Sequence, residues 1–493
     1  MPRNIQLLKQ VRNAATTINA TTENPEYKAL LAGVDVALNE LMLQDNADFY
    51  LQYIERGRLL VDQCRALLKR LDISLPPLFS DSRKSVHANL RSDVLHEEMN
   101  RLQQDLSLLA SHLDEGSNAE EKIFLVDVCD WQASLLLHRQ NNAVASVQEP
   151  IRQITADALL AYLQKKFPQW QDLSITRFVS LDGGFSKKTI MFETQDAVNR
   201  AQSMVIRAEQ PIELLTYAGS DVTQEFHSIR LMQKNGLPTA EPLWLEDDQS
   251  QLGWRFIVSR KSQGRSYGGN LGSNEVLNRE QIESIVAGLV KMHSIRLDAK
   301  DPLAQKSHFR EWLPFKTIAD SIHYQVTDFN DNMIRQAAVM VTPQMMRGMK
   351  WLRANIPQVD EPPVIVHIDY ALNNLLLDEH GVKAILDWES SRFGDPADDL
   401  VWTQDNLREY LSMPELLEMY RSATRREVSE YRLAYARVSR LVTNLIVFQR
   451  CLEAIDKYDA TNINLCILGI KYPGYFATHL NTLIADAEQE KSR

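Results

Sequence analysis

The stretch 364–387 constrains this chain more than any other. From about Arg279 to the C-terminus the apolar spacing is otherwise helical, but here two apolar runs, Val364–His367 and Val382–Leu386, flank a polar motif. Residues 364–378 read Val-Ile-Val-His-Ile-Asp-Tyr-Ala-Leu-Asn-Asn-Leu-Leu-Leu-Asp. A short β-branched run bounded by polar residues has the pattern of a buried strand, and this one would deliver His367 and Asp369 into a loop. Asn374 follows five residues after Asp369, the run Leu375–Leu377 leaves the loop, and Asp387 comes thirteen residues after Asn374 within Lys-Ala-Ile-Leu-Asp-Trp-Glu.

Phosphoryl transfer asks a protein for few parts. One carboxylate must orient the attacking hydroxyl and take its proton, while an amide and a second carboxylate hold magnesium against the phosphate oxygens. Asp369, Asn374 and Asp387 would supply that set. A hairpin with incidental surface acids is the plain alternative, so the surrounding pattern has to decide.

Three pieces occur in order: His-x-Asp-x-x-x-x-Asn at 367–374, Ile-x-Asp-Trp-Glu at 385–389, and Gly394-Asp395-Pro396-Ala397-Asp398-Asp399-Leu400. Together they resemble the aminoglycoside-phosphotransferase-like branch of the protein-kinase fold. The resemblance spans roughly residues 155–485. It implies Asp369 as catalytic base, Asn374 and Asp387 as magnesium ligands, and His367 as a residue bracing the loop. Ile368 departs from the family pattern, which commonly has Gly there.

The upstream half fits the same expectation. Five β-like runs, Ile175–Leu181, Lys188–Glu193, Ser203–Ala208, Leu243–Glu246 and Arg255–Ser259, with one helical pattern from Val222 to Lys234 after the third, suggest a small antiparallel sheet lobe. Between the first two runs lies Asp182-Gly183-Gly184-Phe185-Ser186-Lys187. Adjacent glycines let backbone N–H groups approach phosphates. A Gly-Gly pair alone is more often a hairpin turn, but its place at the start of the sheet lobe favours Gly183 and Gly184 as phosphate contacts, with Ser186 and Lys187 beside them. The resemblance implies a phosphate-clamping cation on the third strand. Arg207 stands there instead of the general Lys, and Glu225 is its candidate partner on the following helix. The run Arg255–Gly264 resembles the fifth strand and hinge, so groups around Arg260 and Ser262 would meet the adenine edge. Arg260 and Lys261 replace the acid usual near the hinge, so ATP is the expected nucleotide and GTP stays open.

Ahead of this, residues 1 to about 140 read as helices: Leu30, Leu31, Val34, Ala37, Leu38, Leu41 and Met42, then Leu59 to Leu68, Leu102 to Leu113, and Ala119 to about His138. The expected architecture is α+β, a protein-kinase-like bilobal fold preceded by an all-α bundle. A helical bundle covers 1–140, a linker 141–154, the sheet lobe 155–262, and a helical lobe with the catalytic loop 263–493. The bundle resembles nothing recognised, and a homo-oligomer formed through it is one expectation.

A net charge of −11 argues against nucleic acid as a partner, which would need a basic field. It does not exclude a nucleotide, whose cation-lined pocket is invisible in a global sum. The four cysteines, Cys64, Cys129, Cys451 and Cys466, show no Cys-x-x-Cys spacing and read as inert thiols. No apolar run is long enough to span a bilayer, and Met-Pro-Arg-Asn-Ile-Gln lacks a signal-peptide core, so no membrane partner and a cytoplasmic location are expected. Val-Ile-Arg at 205–207, Asp-Trp-Glu and the Gly-Asp-Pro motif look closest to the branch related to kinase domains associated with acyl-CoA dehydrogenases. That implies a hydroxyacyl-CoA acceptor. Other small hydroxylated metabolites, aminoglycoside- or macrolide-type antibiotics, and a non-catalytic nucleotide-binding scaffold remain alternatives.

Overall fold

In the computed structural model the described residues are 47–73, 92–113, 119–140, 154–181, 187–196, 200–209, 221–267, 276–336, 339–457, 468–469 and 472–493. The expected helix around Leu30–Met42 and the linker from 141 to 153 lie outside them.

Three helices open the described chain: α1 (Ala47–Arg70), α2 (Ser92–Ala110) and α3 (Ala119–Gln140). Their apolar faces share a core of Ile54, Leu60, Leu68, Met99, Leu102, Leu106 and Val128, and Tyr53 stacks on Trp131. Helix α4 (Ala156–Lys166) follows, N-capped by Thr155.

The β-branched and aromatic runs then form one antiparallel sheet. Its strands are β1 (Ser174–Leu181), β2 (Lys187–Gln195), β3 (Ala201–Glu209), β4 (Pro242–Glu246) and β5 (Phe256–Arg260), in the order β1-β2-β3-β5-β4. One face is apolar: Ile190, Phe192, Met204, Ile206, Phe256 and Val258 pack with Leu159, Tyr162 and Leu163 of α4. Alternation puts the intervening residues on the other face. The register pairs Lys187 with Glu209 and Thr189 with Arg207, so Lys187 and Arg207 share that second face. Helix α5 (Val222–Lys234) follows β3, as the helical pattern predicts, N-capped by Asp221.

The helical lobe contains α6 (Arg279–Ser294), α7 (Ile318–Tyr324) and α8 (Pro343–Ala354). The stretch 364–387 then folds as β6 (Val364–Val366), a loop, and the hairpin of β7 (Leu375–Asp378) with β8 (Gly381–Ile385). Strand β9 (Arg392–Gly394) pairs antiparallel with β6, and α9 (Pro396–Leu407), α10 (Met413–Thr424), α11 (Glu430–Lys457) and α12 (Tyr472–Ser492) complete the lobe. One core joins α5, α6, the hairpin and α9, from Phe226 and Leu289 to Leu377, Trp388 and Leu400. The α+β architecture, a sheet lobe on a helical lobe behind an N-terminal bundle, is therefore as expected.

The bundle is packed directly onto the helical lobe. Met346 of α8 belongs to the bundle core. Lys350 donates to the carbonyls of Ser111 and Leu113 at 2.6 and 2.7 Å, satisfying the end of α2. Lys122 pairs with Glu488 of α12 at 2.7 Å. Cys64, Cys129 and Cys451 are buried thiols, and Cys466 lies outside the described residues. Among the described residues no helix is long and apolar enough to cross a membrane.

Candidate active site

The apolar β6 ends at Val366, and the chain then enters the polar loop with His367 fully buried. Its Nε2 lies 2.9 Å from the Leu386 carbonyl, so the ring ties this loop to the residue before Asp387. Burial lowers the basicity of His367, more than the nearby Asp399 and Asp369 raise it. The buried imidazole thus joins the loop to the hairpin that carries Asp387.

Ile368 adopts φ +72°. A β-branched side chain in the left-handed region costs about 1–2 kcal/mol, so the surroundings must enforce it. Asp399 does so from below: its Oδ2 accepts from the His367 N–H and its Oδ1 from the Ile368 N–H, both at 2.7 Å. Asp399 is fully buried, and His293 Nε2 lies 3.1 Å from its Oδ2. Burial pushes this carboxyl up, but the His293 contact and the nearby His367 hold it below the ordinary range.

Asp369 follows, with both carboxylate oxygens engaged. Oδ1 accepts from Trp402 Nε1 at 2.9 Å, and Oδ2 accepts from Asn374 Nδ2 at 2.7 Å. Asn374 sits at the end of a 3₁₀ turn (Leu372–Asn374), and its amide also bonds the Asp369 carbonyl at 3.0 Å. This turns Asn374 Oδ1 toward Asn373 Nδ2, 3.0 Å away. Asp387, also at positive φ, pairs with Arg207 across the two lobes. Burial raises the Asp387 carboxyl against the pull of Arg207.

Arg207 is a hub. Its Nε lies 3.0 Å from Glu225 Oε1 on α5, and its guanidinium also meets Asp387 and, at 3.5 Å, Glu389. Burial alone would lower its basicity; Asp387, Glu225 and Glu389 outweigh that and raise it. Lys187 lies on the same sheet face with its side chain 2% exposed, and its Nζ is 2.6 Å from Glu389 Oε2. Two cations of the sheet lobe thus face three carboxylates, Glu225, Asp387 and Glu389.

The remaining expected residues fall differently. Gly183, Gly184 and Ser186 lie outside the described residues. At the hinge, Arg260 and Lys261 already have partners within the sheet lobe. The Arg260 side chain pairs with Glu241 at 2.7 Å, both about half exposed. The Arg260 N–H goes to the Glu241 carbonyl and the Lys261 N–H to the Ser203 carbonyl, each at 2.9 Å. Those two backbone donors are therefore already engaged within the sheet lobe. A cavity of about 30 Å³ lies behind the loop, lined by Ile368, Arg440, Arg392 and Asn444. It has room for about two waters rather than an acceptor.

Residues 180–436, more than half of the chain, match the profile of the phosphotransferase enzyme family. The chain belongs to the phosphotransferase enzyme family. It is also similar to mouse acyl-CoA dehydrogenase family member 11, 28% identical over 253 residues, covering 49% of this chain and 30% of that protein. Mouse acyl-CoA dehydrogenase family member 10 is 27% identical over 261 residues, 52% of this chain and 23% of that protein. The chain therefore spans less than a third of the length of these relatives. An aminoglycoside phosphotransferase solved in a ternary complex with AMP-PNP and hygromycin B is 16% identical, with a TM-score of 0.45 over 67% of this chain and 99% of the other. The resemblance to the aminoglycoside-phosphotransferase-like family and to the acyl-CoA-dehydrogenase-associated branch accordingly holds.

Within this member of the phosphotransferase family, sequence reasoning missed several residues that the fold brings in. Glu389 stands in the Asp-Trp-Glu motif with no role legible from sequence, yet it holds Lys187. Asp399 and Trp402, three residues apart on α9, share one helix face, a spacing that could have flagged Trp402. Arg440 of α11 donates to the Ile368 carbonyl and stacks 3.6 Å from the Trp402 ring centroid, and no local pattern announces it. His308, pushed down to about 4 by burial, links Ser228 of α5 to Ser391, with Nε2 2.7 Å from Ser391 Oγ.

Proposed function

We propose that the chain is an ATP-dependent phosphotransferase that moves the γ-phosphoryl group to a hydroxyl of a small molecule, with Asp369 as the base. The observation that carries this reading is the gathering, where the two lobes meet, of an oriented Asp369, an amide-locked Asn374 and a cross-lobe cluster of Arg207, Lys187, Asp387, Glu389 and Glu225. Asp369 would accept the hydroxyl proton as the hydroxyl oxygen bonds to the γ-phosphorus. The bond from that phosphorus to the β-bridging oxygen breaks, and ADP leaves with the electron pair. Arg207, held by Glu225, and Lys187 would meet phosphate oxygens. Glycines 183 and 184, Ser186, Arg260 and Ser262 stay in the proposal as nucleotide contacts, the last two through backbone groups.

Magnesium fits the donor set. Carboxylates outnumber cations in the cluster, and hard oxygen donors suit the ion. Among the described residues no three His, Cys, Asp or Glu side chains form a metal cage; magnesium commonly takes one or two protein carboxylates and completes its shell with phosphate and water. Asp387 and Asn374 Oδ1 would hold it, and when bound it would neutralise phosphate charge. GTP remains open as the nucleotide.

The relatives named acyl-CoA dehydrogenase family members favour a hydroxyacyl-CoA as the proposed acceptor, and a cytoplasmic setting stays part of the proposal. The test is phosphorylation of a metabolite extract, and of a panel including hydroxyacyl-CoA and aminoglycosides, with labelled ATP and magnesium. Label in a hydroxyl compound that disappears with Asp369→Asn is expected. Label unchanged by Asp369→Asn rejects the base. Nucleotide binding without transfer to any acceptor would instead favour the scaffold reading, and label in an aminoglycoside the antibiotic one. A homo-oligomer through the bundle would use its outer face, where Ile123 is 64% exposed among the described residues. Light scattering of Ile123→Glu tests it, and an unchanged oligomeric mass rejects that face.

A further inference from the structure

We infer that Trp402 and Arg440 are positioning residues for Asp369, together supplying to an isoleucine-bearing loop the definition that a glycine would reach by its own freedom. The inference rests on the phosphotransferase reading, because it needs Asp369 to be the base. Ile368, at φ +72°, is a backbone that β-branched residues avoid and that persists only where its neighbours over-determine it. Asp399 secures the loop through the two amides before Asp369. Arg440 secures the other side of the same residue, donating from Nη1 to the Ile368 carbonyl. Ile368 is thus gripped at its N–H by α9 and at its carbonyl by α11.

The grip continues onto the reacting group. The Arg440 guanidinium lies flat enough over Trp402 to bring its centre 3.6 Å from the ring centroid, so each side chain fixes the other. Trp402 Nε1 donates to Asp369 Oδ1 at 2.9 Å, and Arg440 Nη2 stands 3.6 Å from the same oxygen. Asn374 holds Oδ2. Every donor on Oδ1 therefore comes from helices outside the loop, and the direction in which Asp369 faces an incoming hydroxyl is set by α9 and α11. Arg440 is only 17% exposed in its side chain, and burial lowers its basicity more than the surrounding carboxylates raise it. Its planar fork is what the geometry uses: one arm on a carbonyl, one toward a carboxylate, and the flat face on an indole. Lysine keeps the charge and loses that geometry.

The experiment uses the full chain, with Mg-ATP and water as the acceptor, and compares Trp402→Phe, Arg440→Lys, Arg440→Ala and Arg440→Ala with Ile368→Gly. A small displacement of a catalytic group costs about 10²-fold, so kcat should fall by about that factor in Arg440→Ala, with KM for Mg-ATP nearly unchanged. Arg440→Lys should fall between, and Trp402→Phe should lose rate although it keeps the ring. Adding Ile368→Gly should return about tenfold to Arg440→Ala, because glycine adopts the loop conformation unaided. A purely structural role would lower thermal stability and leave kcat of the folded fraction intact, with no rescue by glycine. Wild-type kcat in both Arg440→Ala and Trp402→Phe, beside an inactive Asp369→Asn, overturns the inference alone. Wild-type kcat in Asp369→Asn overturns the base assignment instead. A second readout needs no turnover. The indole ¹⁵N–¹H signal that vanishes in Trp402→Phe should move in Asp369→Asn and in Arg440→Ala, and a signal unmoved by either rejects the coupling.

Discussion

Asp399→Asn should be among the most damaging single-atom changes in the helical lobe. The carboxylate is fully buried and receives the His367 N–H, the Ile368 N–H and His293 Nε2. An asparagine keeps one oxygen and can satisfy one of the two backbone donors; its NH₂ would face the other. The change removes a charge-assisted bond of about 1.5–3 kcal/mol and strands a buried N–H at about 1–3 kcal/mol, together about 2.5–6 kcal/mol. Urea unfolding at pH 7 would show this as a lower midpoint with an unchanged slope. The pH dependence follows from the lowered carboxyl. A group whose folded pKa lies below its unfolded value contributes stability fully above the unfolded value, about 3.9, and loses it as pH falls through the folded one. The gap between wild type and Asp399→Asn should therefore be constant from neutral pH to about 5 and close only below about 4. A loss under about 1 kcal/mol at pH 7, or a gap that closes already near pH 6, refutes the reasoning.

The cross-lobe pair of Lys187 and Glu389, both largely buried, should behave as a unit. Lys187→Met leaves a buried carboxylate less compensated and should cost about 3–5 kcal/mol at most, whereas adding Glu389→Gln should recover much of it in a double-mutant cycle. Additive costs in denaturant melts would contradict the pairing. Gly264 has φ +94°, and an added Cβ would meet the Leu377 carbonyl oxygen at 2.9 Å, where the segment after the hinge crosses the hairpin. Gly264→Ala should lower stability by about 1–3 kcal/mol, read from the urea midpoint, and a neutral result would place the strain elsewhere. Removing residues 1–145 should uncover Met346 and the Lys350 contacts, giving a protein with a lower melting temperature that binds a hydrophobic dye; an unchanged melt would show the bundle to be energetically independent.

The parts of this site that the sequence showed are those whose geometry is local. A strand, a five-residue interval and a hairpin fix Asp369, Asn374 and Asp387 because β6, the loop and the β7–β8 turn follow one another directly. Arg207 and Glu225 were picked out by what the resemblance implies for the third strand and the helix after it, and the structure places them on one face, with Arg207 at its β3 position and Glu225 in the first turn of α5. Lys187 shows where local reading weakens. Its neighbours in sequence make it the end of a phosphate loop, yet as the first residue of β2 its side chain follows the pleat to the Arg207 face and pairs its charge with Glu389, two hundred residues later. The hinge weakens it further, because which backbone donors remain for a base depends on pairing with Glu241 and Ser203, and backbone groups leave no mark in residue type. Trp402, Arg440 and the docking of Lys350 on α2 are set by helix packing between segments far apart in the chain. These distant contacts meet at one residue: Ile368 holds a positive φ, and its N–H and carbonyl are bonded by α9 and α11, elements that local pattern could not reveal. A family motif therefore points to the groups proposed to react, while the residues that hold this variant of the motif in place have to be sought one packing layer outside it.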